Sequence, residues 1–136
     1  MEGLIGAVDS LCDQLNERQI INAEVINGIP NLKLLKTTEL TLYRMIQELT
    51  TNTIRHAEAT ELEVKFEKKG EYLNIEVRDN GKGIDKTTIN KVKGIGLTSI
   101  DTRLKTIDGT FYFENRTPRG LKSTISIPIN TTKNGK

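Results

Sequence analysis

The fold is decided by residues 62–79, which read LEVKFEKKGEYLNIEVRD. Aliphatic and aromatic residues alternate with polar ones on either side of a Lys-Lys-Gly-Glu turn: Leu62, Val64 and Phe66 before it, then Leu73, Ile75 and Val77 after it. A period of two predicts a β-hairpin in which each strand has one apolar face. Continuing that period places Asp79 on the inward face, where a carboxylate needs hydrogen-bond donors because an unpaired buried charge is very unfavourable.

Asp79 also opens a second motif, Asp79-Asn80-Gly81-Lys82-Gly83. The exocyclic amine of an adenine would supply the donor that a buried carboxylate needs, so this acid is a candidate for base recognition. Gly81 and Gly83 let the main chain pass close to a ligand and adopt positive φ. The alternative is a strand that ends one residue earlier, with Asp79-Asn80-Gly81 forming an ordinary Asx turn.

A helix is expected over residues 39–57, capped by Thr37 or Thr38. Its apolar stripe recurs at helical spacing, at Leu42, Ile46, Leu49, Thr53 and Ala57. At about 100° per residue, Glu48, Asn52 and Arg55 fall within an arc of roughly 60° beside that stripe. The alternative is a solvated polar helix face with an ordinary Glu48–Arg55 pair.

These three side chains suit a magnesium nucleotide. Mg²⁺ takes oxygen ligands and keeps several waters, so the neutral oxygen of Asn52 together with phosphate oxygens would suffice for it. Glu48 could polarise a metal-bound or attacking water, and Arg55 could neutralise phosphate charge.

A third motif is Gly94-Ile95-Gly96-Leu97, which opens an apolar series typical of a helix: Leu97, Ile100, Leu104 and Ile107. Glycines at the start of a helix present free backbone N–H groups to phosphate. The motif is neither a Walker A loop, since it lacks the Gly-Lys-Ser/Thr ending, nor a dinucleotide fingerprint, since Ser99 stands at the third glycine position.

Together the three motifs resemble the N, G1 and G2 boxes of the ATP-binding domains shared by gyrase, the large heat-shock chaperones, sensor histidine kinases and mismatch-repair ATPases. The boxes are Glu48-x-x-x-Asn52-x-x-Arg55-His56-Ala57, Asp79-x-Gly81-x-Gly83 and Gly94-x-Gly96-Leu97. The lead-in Tyr43-Arg44-Met45 and the short stretch 85–93 are most similar to bacterial sensor kinases of the nitrate-sensor and desaturase-regulator type.

The resemblance implies ATP and Mg²⁺ as ligands and assigns roles to matching positions. Asn52 would bind the metal, Asp79 the adenine amine, and Arg55 and His56 the phosphates or ribose. The remaining pocket residues would be Gly81, Gly83 and Ile84 beside the base, with Gly94, Ile95, Gly96 and Leu97 beside the phosphates. Glu48 matches the water-activating acid of related ATPases. One departure is Gly120-Leu121, which stands where the family has Gly-Thr and replaces a hydroxyl near the base by an aliphatic side chain.

The function so implied is transfer of the ATP γ-phosphoryl group to a histidine on a separate dimerisation domain, with a response regulator downstream. The one histidine, His56, lies in the predicted pocket and is a poor acceptor. An anti-sigma-factor type serine kinase and a non-catalytic ATP-binding regulator are the alternatives. The isolated domain is expected to be a monomer.

Length and composition agree with one such module. The chain has 136 residues, a net charge of +2, one cysteine and no tryptophan, which argues against nucleic-acid binding and a disulfide framework. No apolar run approaches the ~20 residues of a membrane span, and a single cysteine suits a reducing compartment. A cytoplasmic location is therefore expected for this domain, without membrane contact of its own, whether or not a parent protein is membrane-anchored. We predict an α+β two-layer sandwich in which about three helices cover one face of a mixed sheet of about five strands. Residues 1–17 would be a connector or a packed N-terminal helix, 18–130 the catalytic domain with an edge strand over 19–27, and 131–136 a disordered tail.

Overall fold

The structure is a computed structural model that describes residues 3–84 and 102–129. Along the chain it contains α1 (Gly3–Glu17), β1 (Asn22–Asn27), α2 (Lys36–Asn52), a π-helical turn (Thr53–Ala57), β2 (Glu61–Lys69), β3 (Tyr72–Asp79), β4 (Thr110–Asn115) and β5 (Leu121–Pro128). Residues 102–105 form one helical turn before β4.

The strands form one five-stranded sheet in the order β1-β2-β3-β5-β4. β1 and β2 are parallel, because the chain returns through α2 between them, and the other neighbouring pairs are antiparallel. The predicted mixed sheet and the predicted hairpin of β2 and β3 are therefore confirmed. The edge strand is also present, although it begins at Asn22 rather than Gln19, since Gln19 adopts a left-handed φ of 56° in the turn after α1.

The two faces of the sheet differ in polarity. The inner face packs against both helices in one core, whose fully buried members include Val8, Leu42, Met45, Ile46, Val64, Phe66, Leu73, Ile75, Ile125 and Ile127. The outer face carries charged pairs between neighbouring strands, such as Arg78 with Glu63 at 3.4 Å and Lys122 with Glu114 at 3.1 Å. This polarity fixes which side of each strand faces the helices. No helix in the two described ranges is long and apolar enough to cross a lipid bilayer.

The predicted start of the long helix is wrong, whereas the helical segment does end at Ala57 as predicted. α2 begins at Lys36 after the extended residue Leu35, without a side-chain cap, and Thr38 is buried inside the helix instead of capping it. Regular α-helix stops at Asn52, and Thr53 begins a wider π-turn that ends at the left-handed residue Glu58 (φ 54°). The 100° spacing used for Arg55 and His56 therefore does not hold beyond Asn52.

α1 belongs to the same core. Leu4, Val8, Cys12 and Leu15 form its buried stripe, and the carboxylate of Glu39 from α2 accepts a hydrogen bond from the Leu4 N–H at 3.3 Å. A negative charge at that end also suits the helix dipole.

The start of β5 is packed directly against the end of β3. Gly120 has φ of +113°, and a Cβ atom at this position would overlap the carbonyl oxygen of Asp79. Only glycine allows both the backbone conformation and this close approach. Gly70, in the hairpin turn, also has a positive φ of +59°, but a Cβ atom there would meet nothing within 4 Å.

The reaction rate of the Cys12 thiol tests the packing of α1. Burial, followed by the negative charges of Asp9 and Asp13, raises the pKa of Cys12 to about 11. Because the thiolate is the reactive form, the native chain at pH 8 should react with iodoacetamide at least about a hundredfold more slowly than the urea-unfolded chain. Cys12 is the only cysteine, so the rate of thiol loss reports on it alone. Glutathione in the same urea concentration controls for solvent effects; equal rates for native and unfolded chain would contradict the packing of α1.

Gly120 and Gly70 form a matched pair for a stability measurement. Gly120→Ala should lower the free energy of unfolding by about 3 kcal/mol or more, because strain at positive φ is added to a backbone overlap. Gly70→Ala should lower it by only about 1 kcal/mol, since the strain acts alone. Urea denaturation followed by circular dichroism measures both values. Equal losses would show that β5 does not approach β3 as closely as described.

Candidate functional site

Asp79 ends β3 and is almost completely buried, with 3% of its surface exposed. Its Oδ1 accepts hydrogen bonds from the N–H groups of Gly81 at 2.8 Å and Leu121 at 3.2 Å. Its Oδ2 accepts one from the hydroxyl of the buried Thr53 at 3.3 Å. The bond to Gly81 is an Asx bond, so the turn considered as an alternative is present, but it forms at a buried carboxylate.

These contacts leave Asp79 with one acceptor position that no donor in the described residues fills. A carboxylate offers about four acceptor positions, and the three hydrogen bonds above use three of them. The remaining one belongs to Oδ2, which receives only the long bond from Thr53. An exocyclic amine could donate to this oxygen without displacing a protein donor, which is the property that the sequence-based assignment of Asp79 requires.

The turn after Asp79 is held by two arginines that sequence reasoning did not identify. Arg116 Nη1 donates to the Asp79 carbonyl at 2.7 Å. Arg119 Nε donates to the carbonyls of Asn80 and Gly81, each at 2.9 Å. Both arginines come from the loop between β4 and β5, so this loop fixes the backbone of the motif. The sequence Thr117-Pro118-Arg119-Gly120 is typical of a turn, but no local pattern links it to Asp79.

Gly81 does not adopt the positive φ that was predicted for it. A Cβ atom at this position would overlap the backbone of Ala57. The neighbouring Lys82 N–H donates to the Ala57 carbonyl at 2.8 Å. Gly81 therefore makes room for the end of the π-turn. Gly83 does adopt the predicted positive φ, at +75°.

Asn80 joins the same loops from the other side. Its Oδ1 accepts from the N–H groups of Thr60 at 2.9 Å and Glu61 at 3.0 Å, and its Nδ2 donates to the Thr60 hydroxyl at 2.9 Å. The segment between the π-turn and β2 is thereby tied to the end of β3.

The polar residues of α2 and of the π-turn lie at different depths. Glu48 is half-buried, whereas Asn52, Arg55 and His56 are exposed. Glu48 Oε1 pairs with Arg103 Nη1 at 3.1 Å, so the Glu48–Arg55 pair considered from the sequence is replaced by a contact across 55 positions. The second oxygen, Oε2, is buried and finds no hydrogen-bond partner in the described part of the chain.

Asn52 is accessible and precedes Thr53, the residue whose hydroxyl contacts Asp79. A candidate metal ligand therefore adjoins the candidate base-recognition site along the chain. Within residues 3–84 and 102–129, no group of three or more His, Cys, Asp or Glu side chains is arranged to hold a metal. A Mg²⁺ ion at Asn52 would need oxygens from phosphate and water, which is the coordination that Mg²⁺ favours. Gly94, Ile95, Gly96 and Leu97 lie outside the described residues.

The described part of the chain also contains a groove of about 490 Å³. Its lining includes Glu24, Glu61, Glu63, Arg78 and Arg116, and none of the predicted nucleotide-binding residues. Three carboxylates would repel a polyphosphate, and Arg78 is already paired with Glu63 and Glu76. The groove does not compete with Asp79 as a nucleotide site.

Comparison with known proteins relates this chain to ATPases and histidine kinases. Residues 37–131 match the family model described as "Histidine kinase-, DNA gyrase B-, and HSP90-like ATPase". A curated relative, the signal transduction histidine-protein kinase/phosphatase DegS of Brevibacillus brevis, is 34% identical over 93 residues, which cover 68% of this chain and 24% of the relative. The chain thus spans about a quarter of that relative's length.

Solved structures show the same fold. The histidine kinase domain of the Erythrobacter litoralis EL346 blue-light activated histidine kinase matches with a TM-score of 0.75 and 19% identity, over 96% of this chain and 63% of that one. The ATP binding domain of PrrB from Mycobacterium tuberculosis matches with a TM-score of 0.75 and 15% identity, over 93% of each chain. The predicted α+β sandwich and the predicted resemblance are both confirmed, and because the family model covers most of its length, the chain belongs to the histidine kinase-, DNA gyrase B- and HSP90-like ATPase family.

Proposed function

We propose that this domain binds Mg²⁺-ATP beside Asp79 and delivers the γ-phosphoryl group to a histidine on a separate dimerisation domain. The observation that carries the proposal is the buried Asp79 carboxylate, which keeps one acceptor position free in a chain of an ATPase family. The named relative DegS, a histidine-protein kinase/phosphatase, supports histidine as the acceptor.

Asp79 would accept a hydrogen bond from the adenine amine. Guanine has a carbonyl oxygen at the equivalent position and cannot donate there, so a fixed acceptor would discriminate against it. Gly83 and Ile84 would form the adjoining edge of the base pocket, and Gly81 would hold the turn in place. Thr53 would fix the orientation of the carboxylate through its hydroxyl.

Asn52 would ligate Mg²⁺ through its amide oxygen, with Arg55 and His56 near the phosphates or ribose. Bound Mg²⁺ would neutralise charge on the phosphate oxygens and fix their geometry, which is most of what phosphoryl transfer requires from a protein. Gly94, Ile95, Gly96 and Leu97 are proposed to supply the phosphate side of the site.

Glu48 is proposed to orient groups near the phosphates. Arg103 already occupies Oε1, so the buried Oε2 is the oxygen left to accept from a water or an incoming donor. A response regulator would take the phosphoryl group from the histidine. Both the dimerisation domain and the regulator belong to the proposal for the whole protein.

Binding measurements on Asp79 and a control test the base site. Asp79→Asn should weaken ADP binding by about ten- to a hundredfold, because hydrogen bonds to a charged acceptor contribute more than neutral ones. Asp108→Asn, at an exposed turn residue of φ 56°, should leave the affinity unchanged. Isothermal titration calorimetry measures the dissociation constants, with circular dichroism to verify folding. Unaltered ADP binding by a folded Asp79→Asn variant would remove the base-site assignment.

The assignment of Asn52 as the metal ligand predicts how Mg²⁺ changes the affinity for ATP. Asn52→Ala should abolish the gain in ATP affinity that Mg²⁺ confers on the wild type, while affinity in EDTA stays at the wild-type value. Paired titrations with Mg²⁺ and with EDTA measure this difference. A variant that retains the full Mg²⁺ effect would show that the metal is held elsewhere.

The chemistry of the product distinguishes the proposed acceptor from the alternatives. Mixed with radiolabelled ATP and a dimerisation-domain fragment of a related kinase, the domain should produce label that is lost in acid and stable in base, as expected of phosphohistidine. Acid-stable label on a protein substrate would indicate a serine kinase. Binding of ATP without any transfer would indicate a regulatory module.

A further inference from the structure

Asn115, the last residue of β4, makes two hydrogen bonds to one residue that is 31 positions away. Its Oδ1 accepts from the Ile84 N–H at 2.9 Å, and its Nδ2 donates to the Ile84 carbonyl at 2.7 Å. One side-chain amide thus occupies both backbone groups of the residue that follows the Asp79–Gly83 motif.

The same arrangement occurs at the opposite edge of the sheet. Asn16 of α1 donates through Nδ2 to the Ala23 carbonyl at 2.7 Å and accepts from the Ala23 N–H at 2.8 Å. Two residues of an antiparallel pair exchange the same two bonds, so each side-chain amide binds the backbone of one residue as a residue of a paired strand would. β1 and β4 are the two edge strands, and Asn16 therefore provides a chemically matched reference for Asn115.

Asn115 differs from Asn16 in what lies beside it. It pairs in register with Leu121, whose N–H donates to the Asp79 carboxylate. A Cβ atom on Gly83 would overlap Asn115 Oδ1. The amide therefore lies beside Gly83 and Ile84, which are the proposed edge of the base site at Asp79.

The rest of the motif has separate anchors. Arg116 and Arg119 hold the carbonyls of residues 79–81, and Ala57 holds the N–H of Lys82. Loss of the Asn115 amide would release Gly83 and Ile84 while the preceding residues kept their partners. The effect should then fall on a ligand that contacts this edge more than on the fold.

We propose that Asn115 is a positioning residue for adenine, which fixes the Gly83–Ile84 edge of the base pocket through the Ile84 main chain. The inference rests on the proposed function, since it requires that a purine lie against Asp79. It adds Asn115, which lies in the edge strand β4 and outside the three sequence motifs, to the residues proposed to recognise the base.

The test compares Asn115→Ala and Asn115→Asp with Asn16→Ala. Adenosine, ADP and ATP are titrated against each folded variant, and thermal unfolding is recorded alongside. Asn115→Ala should weaken all three ligands by the same factor, about fivefold, which corresponds to one ordinary hydrogen bond. Asn115→Asp should weaken them at least as much, because a second oxygen would face the Ile84 carbonyl. Asn16→Ala should lower thermal stability while leaving all three affinities unchanged.

Three results would overturn the inference: unchanged affinities in both Asn115 variants, a loss confined to ADP and ATP, or an equal loss in Asn16→Ala. The Asp79→Asn variant separates this failure from failure of the proposed function. If Asp79→Asn loses ADP while the Asn115 variants bind like the wild type, the role of Asn115 alone is wrong. If the wild type binds none of the three ligands, the proposed function and this inference fall together.

Discussion

The structure around the candidate site depends on keeping one carboxylate buried and hydrogen-bonded. Asp79 lies on the core side of the sheet, where an isolated charge would be very unfavourable. Three different segments supply its donors: Thr53 from the π-turn, Gly81 from its own turn, and Leu121 from the start of β5. Each of these segments must therefore reach the end of β3, and the surrounding loops are arranged accordingly.

Sheet topology brings those segments together. The parallel pairing of β1 and β2 requires a crossover, and α2 provides it, so that its C-terminal end and the π-turn lie over the end of β3. Insertion of β5 between β3 and β4 places the Leu121 N–H beside the carboxylate and the loop of Arg116 and Arg119 beside the turn. An all-antiparallel meander of the same strands would place β4 beside β3 and would separate β5 from Asp79.

The sequence predicted the parts of this site that depend on local periodicity. Alternation along 62–79 gave the hairpin and the inward position of Asp79, and helical spacing gave most of α2. The π-turn at Thr53 was not predictable in this way, because a regular helical spacing does not mark where the helix widens. The contact of the Thr53 hydroxyl with Asp79 spans 26 positions and leaves no periodic signal either. The pairing of Glu48 with Arg103 and of Asn115 with Ile84, across 55 and 31 positions, likewise leaves no periodic signal. The close approach that Gly81 allows in the protein is to Ala57, and spacing alone cannot identify the neighbour of a glycine.

Leu121 illustrates how a departure from a family pattern can be accommodated. From the sequence, leucine at this position removes a hydroxyl near the base. In the structure the contribution of Leu121 to Asp79 is its backbone N–H, which every residue except proline provides. The hydroxyl beside the carboxylate comes from Thr53 instead, directly after the candidate metal ligand Asn52. Orientation of the base-recognition acid and binding of the metal would then depend on consecutive residues at the end of one helix, so a shift of that helix end would alter both together.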